Sequence, residues 1–198
     1  MKIGFFGGTF NPPHNGHINL AQHWSERLTL DKFLIIPTGT PPHKEPSDVS
    51  GEMRLTMCRI AAAESGGLLE VSDYEVRRGG KSYSVITLEA LHMAYPNSEI
   101  YMVMGADMFV TLETWYRFED LKKLATFCTM PRDGVSTEDL LDYRAHLAAV
   151  GCRGIIADEP EVDISSSGIR ERVRDGLPID GLVPAGVARY IEKHGLYL

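Results

Sequence analysis

Ile3-Gly4-Phe5-Phe6-Gly7-Gly8 is a short apolar run that ends on two glycines, and Phe33-Leu34-Ile35-Ile36-Pro37 is a second apolar run closed by a proline. Each reads as a buried strand that stops at a tight turn. Between them, residues 16–28 place Ile18, Ala21, Trp24 and Leu28 at helical spacing, with Asn15 as a natural N-cap candidate. The order strand, helix, strand makes a βαβ unit, and that unit decides the fold.

Working outward, the alternation continues to the end of the chain. The pattern predicts helices over 51–64, 84–95, 118–124 and 138–150, with strands over 69–72, 99–104, 125–129 and 154–157. Two closing helices follow at 165–174 and 184–194, and Gly195 stops the second. Strands separated by helices along the whole length imply an α/β, Rossmann-like doubly wound fold: a largely parallel sheet with helices on both faces. No repeat, low-complexity tract or linker divides it, so residues 1–198 are expected to form one domain.

Composition narrows the function classes. The chain has 198 residues, enough for a sizeable core, and 27 acidic against 20 basic side chains give a formal charge of −7. That balance argues against a surface built to neutralise a nucleic-acid backbone. Cys58, Cys128 and Cys152 are widely separated and odd in number, which fits neither a disulfide framework nor a structural zinc site. The N-terminal residues lack the apolar stretch of a signal peptide, and no run approaches the ~20 apolar residues of a membrane span. A cytoplasmic protein with no membrane partner is the expectation.

In open α/β sheets, ligands bind beyond the carboxyl ends of the strands, where helix N-termini offer free N–H groups and positive dipole. After the first strand comes Gly7-Gly8-Thr9-Phe10-Asn11-Pro12-Pro13-His14-Asn15-Gly16-His17. Gly7 and Gly8 let the backbone approach a phosphate, and the Thr9 hydroxyl can donate to one of its oxygens. His14 and His17, three apart at a helix start with Gly16 between them, can face one ligand. Taken piece by piece, Gly-Gly is more often only a turn, and the His pair could cap a helix or bind zinc. No third zinc ligand stands at a known spacing, and neither the P-loop nor the G-x-G-x-x-G pattern is present. Near the other end, Ile164-Ser165-Ser166-Ser167-Gly168-Ile169-Arg170 combines a helix-capping serine cluster with an Arg able to clamp a phosphate.

Together, G-G-T-F-x-P-P-H-x-G-H at one end and I-S-S-S-x-I-R at the other resemble the nicotinate-nucleotide adenylyltransferase family, whose hallmark is H-x-G-H. The resemblance extends through Pro41-Pro42-His43-Lys44, Lys81-Ser82-Tyr83-Ser84, Gly105-Ala106-Asp107, Trp115-Tyr116 and the stretch from Tyr190 to Tyr197. It implies that Gly7, Gly8, Thr9, His14 and His17 hold the ATP phosphates, with His17 near the α-phosphate, and that Ser166, Ser167 and Arg170 hold the β- and γ-phosphates. On this likeness His14, His17 and Arg170 are the catalytic set, Gly105 and Asp107 join the ATP site, and helices within 165–195 complete it. Trp115 would stack on a pyridine base with Tyr83 and Ser84 beside it, Asp107 would face ribose hydroxyls, and Lys44 would neutralise a phosphate.

Three positions depart from the family pattern. Asn11 stands where Asp is usual, Ile86 where an acid often follows, and Pro131-Arg132 reverses the expected Arg-Pro, which puts a ligand role for Arg132 in doubt. The implied reaction is adenylyl transfer from ATP to nicotinate mononucleotide, with Mg²⁺ held by ATP rather than by protein side chains. Transfer to nicotinamide mononucleotide or phosphopantetheine, and a nucleotide sensor without turnover, are the alternatives. ATP and the mononucleotide are then the partners, and a homo-oligomer is compatible with the chain.

Overall fold

The computed structural model describes residues 1–40, 49–132, 134–160 and 162–198. In chain order these form β1 (Lys2–Gly8), α1 (Asn15–Leu28), β2 (Lys32–Pro37), α2 (Gly51–Glu64), β3 (Glu70–Val71), α3 (Tyr74–Arg78), α4 (Ser84–Ala94) and β4 (Glu99–Val103). There follow α5 (Ala106–Phe109), a 3₁₀ turn (Leu112–Thr114), α6 (Phe118–Leu124), β5 (Thr126–Thr129), α7 (Thr137–Ala149), β6 (Gly154–Ile156), α8 (Ser166–Arg174) and α9 (Ala185–His194). Every strand pairing is parallel, and the sheet order is β3-β2-β1-β4-β5-β6. The order reverses between β1 and β4, which opens the crevice beyond their carboxyl ends.

The two faces of the sheet follow from alternation along the strands. Ile3 and Phe5 of β1, Leu34 and Ile36 of β2, and Ile100 and Met102 of β4 point into a core shared with Val85, Leu88 and Leu91 of α4, Leu121 of α6 and Leu140 and Leu147 of α7. Phe33 and Ile35, one residue out of step, point to the opposite face, against Leu20, Ala21 and Trp24 of α1 and Cys58 of α2. Gly4 belongs to that second face, and a Cβ there would lie 2.6 Å from both Leu30 and Phe33, so the close packing of β1 requires its absence. A third cluster joins Met57 and Ala61 of α2 to Ile169 of α8 and Val187 and Ile191 of α9, which fixes the two closing helices to the outside of α2.

The sequence pattern located the long elements to within one or two residues. It did not find α3, α5 or the 3₁₀ turn, all too short to show a helical period. The α1 cap also differs: His14, not Asn15, is the extended residue before the helix, and Asn15 is its first helical residue, its side chain donating to Gly181 O at 2.8 Å. Among the described residues no helix is long and apolar enough to cross a membrane. The three cysteines are free and buried, and burial pushes their thiols up, Cys152 to about 11.

Candidate active site

The crevice at the strand reversal is walled on one side by the loop that joins β1 to α1. Gly7 and Gly8 are the last residues of β1, and a Cβ on Gly7 would sit 2.9 Å from the Phe5 ring. The loop then runs through Thr9, Phe10 and a cis Asn11–Pro12 bond into His14. The His14 backbone N–H donates to His17 Nδ1 at 3.0 Å, and the two imidazoles stack with centroids 3.5 Å apart and planes at 25°. Gly16 makes this stack fit, because a Cβ there would lie 3.0 Å from His14 Nδ1. Phe6 and Phe10 press their edges on His17 at 5.4 and 4.9 Å.

These surroundings fix the protonation of both rings. Burial, with the Arg132 charge adding to it, holds His14 down to about 4. Burial, then the His14 neighbour and Arg132, hold His17 well below 6.5. Both imidazoles are therefore neutral at neutral pH. Because Nδ1 of His17 accepts a hydrogen bond, its own proton resides on Nε2, which makes that nitrogen a donor. The first turn of α1 carries no acidic side chain, so nothing there opposes the positive end of its dipole. A neutral donor at a helix N-terminus suits an anionic oxygen. The metal reading of the pair finds no third ligand: among the described residues no three His, Cys, Asp or Glu side chains group together.

Residues from the far end of the chain close on the same loop. Ser165 is the N-cap of α8 and accepts from Gly168 N–H at 3.1 Å, so one serine of the cluster caps. Ser166 donates to Pro12 O at 2.8 Å, and Arg170 Nη1 donates to Asn11 O at 2.8 Å. The exposed Ser167 directs its hydroxyl to Ser165 Oγ at 3.3 Å. Ser166, Arg170, His14 and His17 thus share one short stretch of backbone. Across the crevice Gly105 is the cap of α5 and Asp107 lies exposed in its first turn, just beyond β4.

On the neighbouring flank, Tyr83 is the cap residue of α4 and Ser84 its first helical residue. The Tyr83 ring tilts against Tyr116, with centroids 4.5 Å apart. Trp115 and Tyr83 are both half-buried against the core face that carries α4, and Ile86 packs there too. Lys44 lies outside the described residues.

Some residues at the site escaped the sequence reading. Arg54 of α2 donates to Thr9 O, Thr38 O and Gly39 O, and Tyr197 donates to Asn11 Oδ1. Arg54 did carry a signal, since Arg54, Met57, Cys58 and Ala61 are all buried at helical spacing, which places a charge on an apolar stripe. Arg132, doubted because of its reversed order with Pro131, lies close enough for its charge to act on both histidines.

A family model described as cytidylyltransferase-like matches residues 5–172. A Syntrophotalea carbinolica protein named "Probable nicotinate-nucleotide adenylyltransferase" is 40% identical over 100% of this chain and 97% of its own length. One of the same name from Clostridium tetani is 36% identical over 99% of this chain and 98% of its own. The solved nicotinic acid mononucleotide adenylyltransferase of Plasmodium falciparum, complexed with NaAD, superposes with a TM-score of 0.80 over 99% of this chain and 97% of that one. At 19% identity that last likeness speaks for the fold alone. Full-length relatives at this identity leave one assignment: the chain belongs to the nicotinate-nucleotide adenylyltransferase family, a branch of the cytidylyltransferase-like proteins.

Proposed function

We propose that the chain transfers the adenylyl group of ATP to the phosphate of nicotinate mononucleotide, giving nicotinate adenine dinucleotide and pyrophosphate on the way to NAD. The observation that carries this reading is the stacked, neutral His14–His17 pair on a loop to which Ser166 and Arg170 are also fastened. An oxygen of the mononucleotide phosphate attacks the α-phosphorus of ATP, the bond from that phosphorus to the β-bridging oxygen breaks, and pyrophosphate leaves. The nucleophile is already an anion, so no general base is needed. Catalysis is then alignment plus stabilisation of charge on the transferring and leaving oxygens.

The Nε2–H of His17 is suited to the α-phosphate oxygens, with His14, Gly7, Gly8 and Thr9 lining the same stretch. Ser166, Ser167 and Arg170 on α8 are assigned to the β- and γ-phosphates by the family likeness, supported by the closing of α8 on the histidine loop, and α8 and α9 then complete the ATP site of a single domain. Gly105, and Asp107, exposed in the first turn of α5, are assigned to the nucleoside. Trp115, Tyr83 and Tyr116 offer aromatic surface for a planar base, with Ser84 and the backbone at the start of α4 for its carboxylate. Lys44 is assigned to a phosphate by the family likeness alone. The donor set of the site is histidine, serine, arginine and backbone, which fits Mg²⁺ held through phosphate oxygens and water; the ion would neutralise the departing pyrophosphate. Buried free thiols agree with a reducing compartment, and we assign the chain to the cytoplasm.

Pyrophosphate release from ATP and Mg²⁺ tests the reading, with nicotinate mononucleotide, nicotinamide mononucleotide and phosphopantetheine supplied in parallel. Release with the nicotinate form is expected. Release with another acceptor alone would move the substrate, and no release with any would leave a nucleotide sensor.

A further inference from the structure

Arg54 is 3% exposed, and among the described residues it donates three hydrogen bonds, all to main-chain carbonyls: Nη1 to Thr9 O at 2.7 Å, Nη2 to Thr38 O at 2.7 Å and to Gly39 O at 3.1 Å. Arginine stays charged in proteins, and a buried charge held by neutral carbonyls gains less than one paired with a carboxylate. An apolar residue would suit the stripe of α2 itself, but it would take the donors away from those three carbonyls, so the guanidinium serves the loops rather than the packing of the helix. What a guanidinium offers, and a point charge does not, is a rigid fork able to hold separate segments at once.

The two segments it holds belong to different halves of the reaction. Thr9 lies on the loop between Gly8 and His14, assigned above to the ATP phosphates. Thr38 and Gly39 follow β2, and Gly39 N–H donates to Ser82 Oγ at 3.0 Å while Ser82 N–H donates to Thr40 O at 3.0 Å. Ser82 adjoins Tyr83 and Ser84, assigned above to the acceptor. Behind them the buried Glu75 accepts from Thr87 of α4. A continuous chain of hydrogen bonds therefore runs from the ATP loop through Arg54 to the start of α4.

We infer that Arg54 is a positioning residue that fixes the distance between the ATP-phosphate loop and the acceptor loop, so that the two reacting phosphates meet in line. The inference rests on the function proposed above. In-line transfer needs the reacting atoms ~3–3.5 Å apart, and a misplacement of about 1 Å costs on the order of 10²-fold in rate. Arg54 touches neither substrate in this scheme; it acts through Thr9 and Gly39.

The test uses Arg54→Lys and Arg54→Met in the full chain, the lysine carrying the test if the methionine variant does not fold. Hydrogen exchange of the ligand-free protein reads the tie directly: the backbone N–H groups of His14, Asn15 and His17 and those of Thr38, Gly39 and Ser82 are expected to lose protection together. Below the melting temperature, kcat is expected to fall ~10- to 100-fold, with KM for each substrate changed no more than ~3-fold. Lysine should restore thermal stability more than it restores kcat. A folded variant with kcat within ~2-fold of the parent, or protection lost in one loop only, overturns the inference. If the parent released no pyrophosphate with any acceptor, the proposed function would fall, and the exchange result alone would decide whether Arg54 ties the loops.

Discussion

The hydroxyl of Tyr197 donates to Asn11 Oδ1 at 2.6 Å, while Arg170 bonds the carbonyl of that same Asn11, so both contacts hold the histidine loop from the far end of the chain. Burial pushes the Tyr197 hydroxyl well above its ordinary value, which keeps it a neutral donor. Tyr197→Phe removes one hydrogen bond from a half-buried pair and is expected to cost about 1 kcal/mol, a fall of roughly 2–4 °C in Tm. The same change should raise KM for ATP more than it lowers kcat, because it loosens the loop without altering the donors on it. Asn11→Asp keeps an acceptor for Tyr197 and should retain kcat within ~2-fold. Calorimetric melts and ATP kinetics on the two variants check both statements, and a larger loss in the aspartate than in the phenylalanine variant would show that charge at this position matters.

His17 stands at the junction of helix dipole, His14 and loop backbone, with Nδ1 engaged and Nε2 carrying the proton. A donor that meets charge developing in the transition state contributes to kcat rather than to ground-state affinity. His17→Ala is therefore expected to lower kcat by about 10²–10³-fold, as loss of a single preorganised donor does, with a much smaller change in ATP affinity. Steady-state kcat and equilibrium ATP binding should be compared on one preparation. Equal losses in both would make His17 a ground-state contact only.

Acid should weaken the fold through His14. Its folded value of about 4 lies below the ordinary 6.5, so between these the unfolded chain binds a proton that the native chain does not. Stability is accordingly full above about pH 6.5 and falls as pH drops toward 4, by up to about 3 kcal/mol from this group. Urea unfolding at pH 7 and pH 4.5 should give a smaller difference in His14→Asn than in the parent. Parallel slopes in the two proteins would mean that His14 is not the titrating group.

The fold was legible because each long element shows its own period: Phe33 and Ile35 alternate with Leu34 and Ile36, and the sheet they enter is covered on both sides. The site was legible where chemistry is concentrated in a few consecutive residues, as in His14-Asn15-Gly16-His17 and Ser165-Ser166-Ser167. It was not legible where a side chain works through distant backbone. Arg54 bonds residues 45, 16 and 15 positions away, and Tyr197 reaches across 186. Spacing along the chain gives no access to such contacts. The short α5 that presents Asp107 was likewise invisible, since four residues hold little more than one helical turn.

Glu75 is 3% exposed, accepts from Thr87, and leaves Oε2 buried with no hydrogen-bond partner among the described residues. Burial raises its carboxyl above the ordinary 4.5, although hydrogen bonds from Ser82 and Thr87 and the Arg78 charge pull the other way. A raised acid binds more protons folded than unfolded, so its contribution to stability is greatest below about 4.5 and is lost as pH rises through the folded value. Glutamine in its place keeps an acceptor for Thr87 and never ionises. The stability of Glu75→Gln relative to the parent should therefore improve from pH 4 to pH 8, whatever constant offset the substitution adds. Because His14 is common to both proteins, its titration cancels in that difference. Urea titrations of the pair at the two pH values decide it: a gap that stays constant would mean that Glu75 is ionised in the folded protein as easily as in water.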